Sequence, residues 1–524
     1  MKKFFMMWVG LALMCLALAG CGGGGGGDSA AAQELVDSGT TTPPPSGGGG
    51  TTPPPSTEPS APGALGALTD LGDLVMPQGD WWYYTRAVAI NDAGTVIGQS
   101  NRGNPAKAAF KWEPGSSAMT YLGIHPGVYE DFYSQRVQTV LSNPSPFIYS
   151  EAVGINTSGT IIGNSTTGLG WPDETKKRAF VWQNGTFIDL PPLPGLFIDT
   201  GTGFILTFTS FSEAVDINDK GEVVLTAEDT DGRHAYYWDG VSTHTVTLPR
   251  DDGTTFDVVV PGPYTLLGRI VGEDSEAVAI NENGQAVVNS GGTAVFHDLN
   301  WDVVETLNHL PGFGASVETI AVDINDSVYT NNDGIPDGHV IGNSGINSGE
   351  PEFSLVDEDS MKGFFWDGGI MYPVNDLGGG TSEATDLNNK DQVVGAATLA
   401  EGNFHAILWT LDANKKGIIR DLGTLGGANS YATAINEAGQ ITGWSETGKF
   451  YEEQGVSVPI RHAFLWAQGI MFDLGTHNDF YTRPFVPYYP FSEAVALNAS
   501  GKVAGNSTSI NAHSRGFYLS PVFP

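Results

Sequence analysis

Cysteine is nearly absent. The 524-residue chain has two, Cys15 and Cys21, both near its start. No disulfide framework can therefore staple the body, and its stability has to come from packing. Basic charge is scarce too: 24 Lys and Arg stand against 59 Asp and Glu, for a formal net charge of −35. So acidic a chain repels phosphate backbones, and no Lys/Arg cluster offsets the repulsion. Nucleic acid is excluded as a partner on this ground, and so is the bare face of an anionic membrane. Cations, or surfaces held through cations, are compatible. Charge of either sign makes up only 16% of the chain, whereas Gly is abundant at 70. The familiar catalytic signatures are missing: no Ser/His/Asp order, no phosphate loop, no H-E-x-x-H, no CxxC and no S-x-D-x-G-x-x-W.

What is present begins with an address. Lys2 and Lys3 precede an apolar run from Phe4 to Ala19, too short and too N-terminal to span a membrane and shaped like a secretory signal. Leu18-Ala19-Gly20-Cys21 resembles a bacterial lipobox, which implies cleavage before Cys21 and acylation of that residue. Gly22 follows it, not Asp, which resembles lipoproteins sent to the outer membrane. Acyl chains of the palmitate class would hold the molecule at a bilayer without a spanning segment. Residues 22–62 contain six consecutive glycines, then TTTPPPSGGGG and TTPPPSTEPS. This composition cannot bury a core and reads as a disordered linker. The expected organisation is a lipoprotein signal peptide at 1–20, the lipidated Cys and linker at 21–62, and one body at 63–524.

The body is an array. An A-x-x-I-N run recurs with its Asn at 91, 156, 218, 281, 325, 388, 436 and 498, spaced 44 to 65 residues apart. Periods of this order mark repeat architectures. Each copy divides into four short strand-like runs, as in AVAIN, GTVIGQS, AAFKW and MTYLG of the first. An N-x-x-G turn joins the first two into a hairpin whose last turn residue is left-handed. At Asn388 the turn reads NNKD, with Asp391 in the Gly place, a residue that tolerates that conformation. Trp112, Trp182, Trp238, Trp366, Trp409 and Trp466 share one position in the third run, and His297 and Leu519 fill it elsewhere. They read as core between neighbouring sheets, with a ligand cage as the alternative. The fourth run is D-L-G. The last copy lacks one, and a spare, Asp70-Leu71-Gly72, lies ahead of the first copy. One strand missing at the end and one extra at the start close a ring with no open sheet edge. The expected fold is all-β: a β-propeller of about eight four-stranded repeats, seven or eight blades after closure, and a monomer.

HAFLW at 462–466, HAILW at 405–409, DLGTLGG at 421–427 and the A-I-N-x-x-G runs resemble the extracellular HAF-type repeat of bacterial secreted proteins. The resemblance covers nearly all of the chain after the linker. It implies export and a repeat array, and it transfers no catalytic residue.

Candidate sites follow from the expected topology. With the first strand innermost, the second-to-third and fourth-to-first connections share one face and the N-x-x-G turns the other. The first face carries the length variation, in aromatic insertions at 76–85, 125–136, 195–211 and 479–491. Trp81, Trp82, Tyr83, Tyr84, Tyr133, Tyr481, Tyr488 and Tyr489 could stack on sugar rings or anchor a protein, or pack down on their own blades. Glu151, Glu213, Glu276, Glu383 and Glu493, in Ser-Glu-Ala, would circle one mouth of the channel, as a cation ring or as hydrogen-bond acceptors for neighbouring loops. Asn331, Asp333 and Asp337 around Gly334 resemble half of a calcium loop, or form an Asn/Asp/Gly-rich turn. His234, His405 and His462 share a position that takes Arg178, Lys362 and Arg515 elsewhere, which reads as solvent-facing. The expected role is non-catalytic binding of a glycan or envelope protein at the loop-rich face. A glycan hydrolase or lyase, and a structural scaffold, are the alternatives.

Overall fold

A computed structural model describes residues 65–72, 74, 84–101, 107–123, 149–166, 177–190, 197–199, 204–206, 211–229, 231–249, 255–262, 264–310, 317–327, 329–330, 336–346, 361–453, 456–476, 491–508 and 514–523. A compact unit spans Ala64–Pro524. Eight four-stranded antiparallel sheets make up an eight-bladed β-propeller. Blade 1 comprises Thr85–Ile90, Val96–Asn101, Lys107–Trp112 and Thr120–Gly123, and blade 2 Ser150–Ile155, Ile161–Thr166, Lys177–Gln183 and Thr186–Leu190. Blade 3 comprises Ser212–Ile217, Val223–Glu228, Arg233–Trp238 and Thr265–Leu266, and blade 4 Ser275–Ile280, Gln285–Ser290, Thr293–Asp298 and Val303–Leu307. Blade 5 is Glu318–Ile324, Val340–Ile346, Lys362–Trp366 and Met371–Pro373; blade 6 is Gly378–Leu387, Val393–Leu399, Phe404–Leu411 and Gly417–Asp421. Blade 7 is Ser430–Ile435, Ile441–Glu453, Val456–Ala467 and Ile470–Asp473. Blade 8 takes three strands from the end of the chain, Ser492–Leu497, Val503–Thr508 and Ser514–Leu519, and its outermost from the beginning, Thr69–Asp70. Thr69 pairs with Tyr518 and Asp70 with Phe517, so the ring closes as the D-L-G offset requires.

The turn chemistry explains the hairpins. In blade 1, Asn91 Oδ1 accepts the Thr95 N–H at 3.0 Å, and the Gly94 N–H reaches the Asn91 carbonyl at 2.9 Å. Gly94 sits at φ +90°, and its equivalents at 159, 221, 284, 439 and 501 lie between +74° and +85°. That region favours glycine. Asp391 occupies it at φ +57°. A feature absent from the sequence reading is a β-bulge in every first strand, between Ala87 and Ala89 in blade 1 and at the same place in the other seven. A bulge increases local twist, which steeply pitched blades around an axis need. It also explains the Gly of the Gly-x-Ser runs. A Cβ at Gly98 would meet the Arg86 carbonyl at 1.9 Å, and one at Gly443 the Tyr431 carbonyl at 2.0 Å.

The core lies between blades. Eight clusters of buried side chains occupy the eight interfaces, including the one between blades 8 and 1. The six repeat tryptophans are all buried in them, and Trp409 is fully enclosed. The core reading of that position holds. Indole surface is held where each sheet meets the next: Trp112 packs against Tyr518 of blade 8 and Trp366 against Phe296 of blade 4.

Two sets of hydrogen bonds tie blade to blade. Each turn Asn donates Nδ2 to the backbone carbonyl of the next turn Asn: 91 to 156, 156 to 218, 218 to 281, 281 to 325, 325 to 388, 388 to 436, 436 to 498, and 498 back to 91, at 2.9–3.1 Å. All eight are buried. A second set joins strand to strand. The amides of Asn164, Asn289, Asn343 and Asn506 each bond the backbone of an Ala on the next first strand, at 214, 321, 384 and 87. Blades 6 and 7 carry Ala396 and Trp444 at that position, so the bond cannot form. There the bulge residue, Val in the other six blades, becomes Thr385 or Thr433. Its hydroxyl donates to the Ala432 or Ala494 carbonyl at 3.0 and 2.9 Å.

Candidate functional site

The mouth on the loop-rich face is built from the residues that open each first strand. Innermost strands adjoin one another around the ring, and the residue before their Ala gives one side chain per blade: Arg86, Glu151, Glu213, Glu276, Ile320, Glu383, Tyr431 and Glu493. The preceding Ser is structural. Its hydroxyl accepts the N–H of the third strand in the blade before, as from Ala109 to Ser150 at 2.9 Å and from Ala463 to Ser492 at 2.8 Å.

The five expected carboxylates do not form a bare acidic ring. Lys177 Nζ lies 3.4 Å from Glu151 and 3.5 Å from Glu213. Burial alone would lower that ammonium, but the two carboxylates outweigh it and raise its pKa. Glu493 is raised by burial, against the pull of Arg86 and Arg461. Glu276 is exposed. Glu383 stands apart: it is 3% exposed, and its Oε1 has no hydrogen-bond partner among the described residues. Tyr431 of blade 7 hydrogen-bonds the carboxyl, and burial pushes it up to about 7. Burial and the Glu383 charge raise the Tyr431 phenol in turn. Tyr431 stacks on Trp444, over whose ring the Arg461 guanidinium lies at 4.7 Å.

That last contact belongs to a pattern the sequence reading missed. In four blades the residue before the H-A-F column is basic and lies over an aromatic ring. Lys107 is 4.7 Å from the Tyr84 ring, Lys177 5.9 Å from Tyr149, Arg233 4.3 Å from Phe211 and Arg461 4.7 Å from Trp444. Tyr84, Tyr149 and Phe211 each precede the Ser or Thr that opens the first strand, so the column could have been found by aligning the repeats two residues further upstream. Lys177 and Arg233 also face carboxylates, the latter Glu228 at 3.5 Å, so these cations staple the mouth.

Of the aromatic residues proposed from sequence, Tyr84 is placed: it is half-buried, bridges to Ser514 of blade 8, and burial raises its pKa. Trp81, Trp82, Tyr83, Tyr133, Tyr481, Tyr488 and Tyr489 lie outside the described residues, as do Cys21, Asn331 and Asp333. The backbone of Asp337 lies in the short strand Pro336–Asp337, paired with Tyr329–Thr330. Among the described residues no group of three or more His, Cys, Asp or Glu is placed to hold a metal.

The histidine position needs a correction. It is not solvent-facing: Arg178 and His234 are 2% and 1% exposed, and His462 is buried. The cation pairs with the Asp of the adjoining D-L-G strand, His462 with Asp473 at 2.8 Å, His405 with Asp421 at 2.9 Å and Arg178 with Asp189 at 2.5 Å. His234 instead takes Asp229, at 2.6 Å. Arg and Lys are tolerated because each is a cation that reaches the same carboxylate, whatever its exposure.

No family model matches the chain, and no curated protein matches it. Solved structures do. TolB from Acinetobacter baumannii is 11% identical, with a TM-score of 0.28 and coverage of 62% of both chains. Porphyromonas gingivalis dipeptidyl peptidase 4 is 11% identical, with a TM-score of 0.38 over 84% of this chain and 59% of that one. This chain thus spans about three fifths of the length of either. An ulvan lyase, from a new family of polysaccharide lyase, is 11% identical, with a TM-score of 0.34 over 88% of this chain and 94% of that one.

Proposed function

We propose that this chain is a lipoprotein of the HAF-repeat type, anchored through Cys21 in the cell envelope at the outer membrane, that binds a glycan or an envelope protein without catalysis through its loop-rich face. One observation carries the reading. The recurring polar residues are spent on holding the ring: turn Asn to turn Asn, Ser to the preceding blade, and H-A-F cation to D-L-G carboxylate. What differs from blade to blade is the set of aromatic insertions, and the second-to-third and fourth-to-first connections that hold them share the face where the charged mouth opens. Aromatic side chains give large contact area at low entropic cost. The insertion at 331–337, on the opposite face, is proposed to take calcium through Asn331, Asp333 and Asp337. The test is a glycan array and an envelope pull-down with the full chain, with and without calcium, against a Trp82→Ala/Tyr489→Ala double variant. Ligand capture that the double variant loses supports the reading; capture that it retains contradicts it.

A second reading, a glycan hydrolase or lyase at the same mouth, is favoured by Glu383, a buried carboxyl titrating near neutrality beside a phenol. Such a group suits general acid–base work. A hydrolase would need a second carboxyl roughly 5–9.5 Å away. Oligosaccharide release by the native chain, abolished in Glu383→Gln, would establish it.

A further inference from the structure

The face opposite the loops carries a pattern of its own. Third strands end on this face, next to the Asn turns: a Cβ at Gly240 would meet the Gly221 carbonyl, and Asn300 Nδ2 reaches the Asn283 carbonyl at 2.5 Å. At the turn that follows the third strand, blades 3 to 7 each expose one large apolar side chain: Val241, Trp301, Ile370, Ile418 and Ile470. Val522 does the same after the third strand of blade 8. All six are between 47% and 79% exposed. Blades 1 and 2 break the series, with Gly115-Ser116-Ser117 and Asn184-Gly185-Thr186. Single exposed apolar residues are ordinary. Six at one repeat position on six consecutive blades make an arc around three quarters of a rim.

The chain reaches the propeller on this same face. Thr69–Asp70 runs antiparallel to Ser514–Leu519, and the Leu65 carbonyl accepts the Val522 N–H at 2.8 Å, beyond the end of that strand. The residues ahead of Leu65 therefore join the body at one end of the apolar arc. Carboxylates are spread along the rim as well, among them Asp239, Asp302 and Asp412. They disfavour an anionic lipid surface and leave a zwitterionic one.

We propose that the Asn-turn face is the membrane-facing side of the body, its apolar arc resting at the headgroup level of a zwitterionic phospholipid surface, so that the loop-rich mouth is presented outward. The proposal rests on acylation of Cys21, part of the reading above; the ligand of the mouth does not enter it. Shallow contacts of this kind add to the acyl anchor and set orientation.

The test uses the full, acylated chain in phosphatidylcholine–phosphatidylethanolamine vesicles. Acylation occupies the Cys21 thiol, so a single introduced cysteine can carry a fluorophore. Labels go at Val241→Cys and Ile470→Cys on the arc, Ser117→Cys on the polar part of the same rim, and Phe450→Cys on the loop-face hairpin. A bilayer-embedded nitroxide lipid is the quencher. Strong quenching at 241 and 470, weak at 117 and none at 450 is expected. Uniformly weak quenching, quenching at 450 above that at 470, or a chain recovered without acyl groups overturns the proposal. So does an arc that is protected only when a second protein is added, which would make it a protein interface. None of these outcomes bears on ligand capture at the mouth, which the Trp82→Ala/Tyr489→Ala variant reads separately.

Discussion

The two faces of this propeller are made by the same eight repeats and look nothing alike. On one, eight asparagines repeat a single hydrogen bond around the ring within 0.2 Å of one another. On the other, the opening residues of the first strands run through Arg, Glu, Ile and Tyr. A closed ring fails at its weakest joint, so every joint must be made in some form, and the motif letters are the record of those joints. Exceptions on the regular face are compensated within reach. Blade 5 has an insertion where the others turn, and the next blade is the one that replaces the turn Gly with Asp391. Its carboxylate accepts from Asn325, Ser327 and His339, the residues that flank the insertion, at 3.1, 3.2 and 2.6 Å. Departures on the loop face have no such compensation, which is what a surface used for recognition permits.

The comparison can be broken most forcefully in the core. Trp409→Ala empties a fully buried site between blades 5 and 6 and should cost about 3–5 kcal/mol in denaturant unfolding. Next is the Asn ring. Asn388→Ala removes the bond to the Asn436 carbonyl and those accepted from Lys390 and Gln392. A loss of about 1–3 kcal/mol is expected, with ligand capture at the mouth unchanged; a variant that unfolds normally but no longer captures ligand would erase the division between faces.

Glu383 gives a test of comparable size with a pH signature. Its folded pKa, about 7, is above the unfolded carboxyl value. The folded state therefore holds the proton more tightly, and stability falls as pH rises from about 4.5 to beyond 7. Glu383→Gln should flatten that decline and gain on the order of 3 kcal/mol over the native chain at pH 8, in melts across pH. An unchanged pH profile would mean the carboxyl is solvated. Smaller still is Asp391→Gly, which restores the consensus letter. It should destabilise by about 1 kcal/mol, since the lost bonds to His339 and Ser327 outweigh the relief of a positive φ. Burial would raise the Asp391 carboxyl, but the His339 bond and charge hold it below its ordinary range. Its contribution is therefore present above the unfolded carboxyl pKa and should fade as pH falls through the lowered one.

The fold was legible because its period is written in repeated letters. The Asn-x-x-Gly turn dictates a hairpin, the tryptophan column dictates where sheets meet, and the displaced Asp70-Leu71-Gly72 dictates closure. The bulge was not legible, because it leaves no letter of its own beyond the Gly it crowds. The mouth was half legible. The Glu column could be seen, but its cations come from other columns: Arg86 replaces a Glu, and Lys177 and Arg461 precede the H-A-F column. A pair between two columns emerges only when the blades are stacked. Exposure of the His position was misjudged because the sequence shows that Arg and Lys are tolerated, not that a carboxylate awaits each of them.

The most direct test of the account sets the two faces against each other in one pair of variants. Melting temperature and ligand capture would be measured for Asn436→Ala, on the ring of turns, and for the Trp82→Ala/Tyr489→Ala double variant, on the loops. The account expects Asn436→Ala to melt earlier and capture normally, and the loop variant to melt as the native chain does and capture nothing. The opposite pattern, with capture lost through the ring Asn in a folded protein or kept without the loop aromatics, would contradict it.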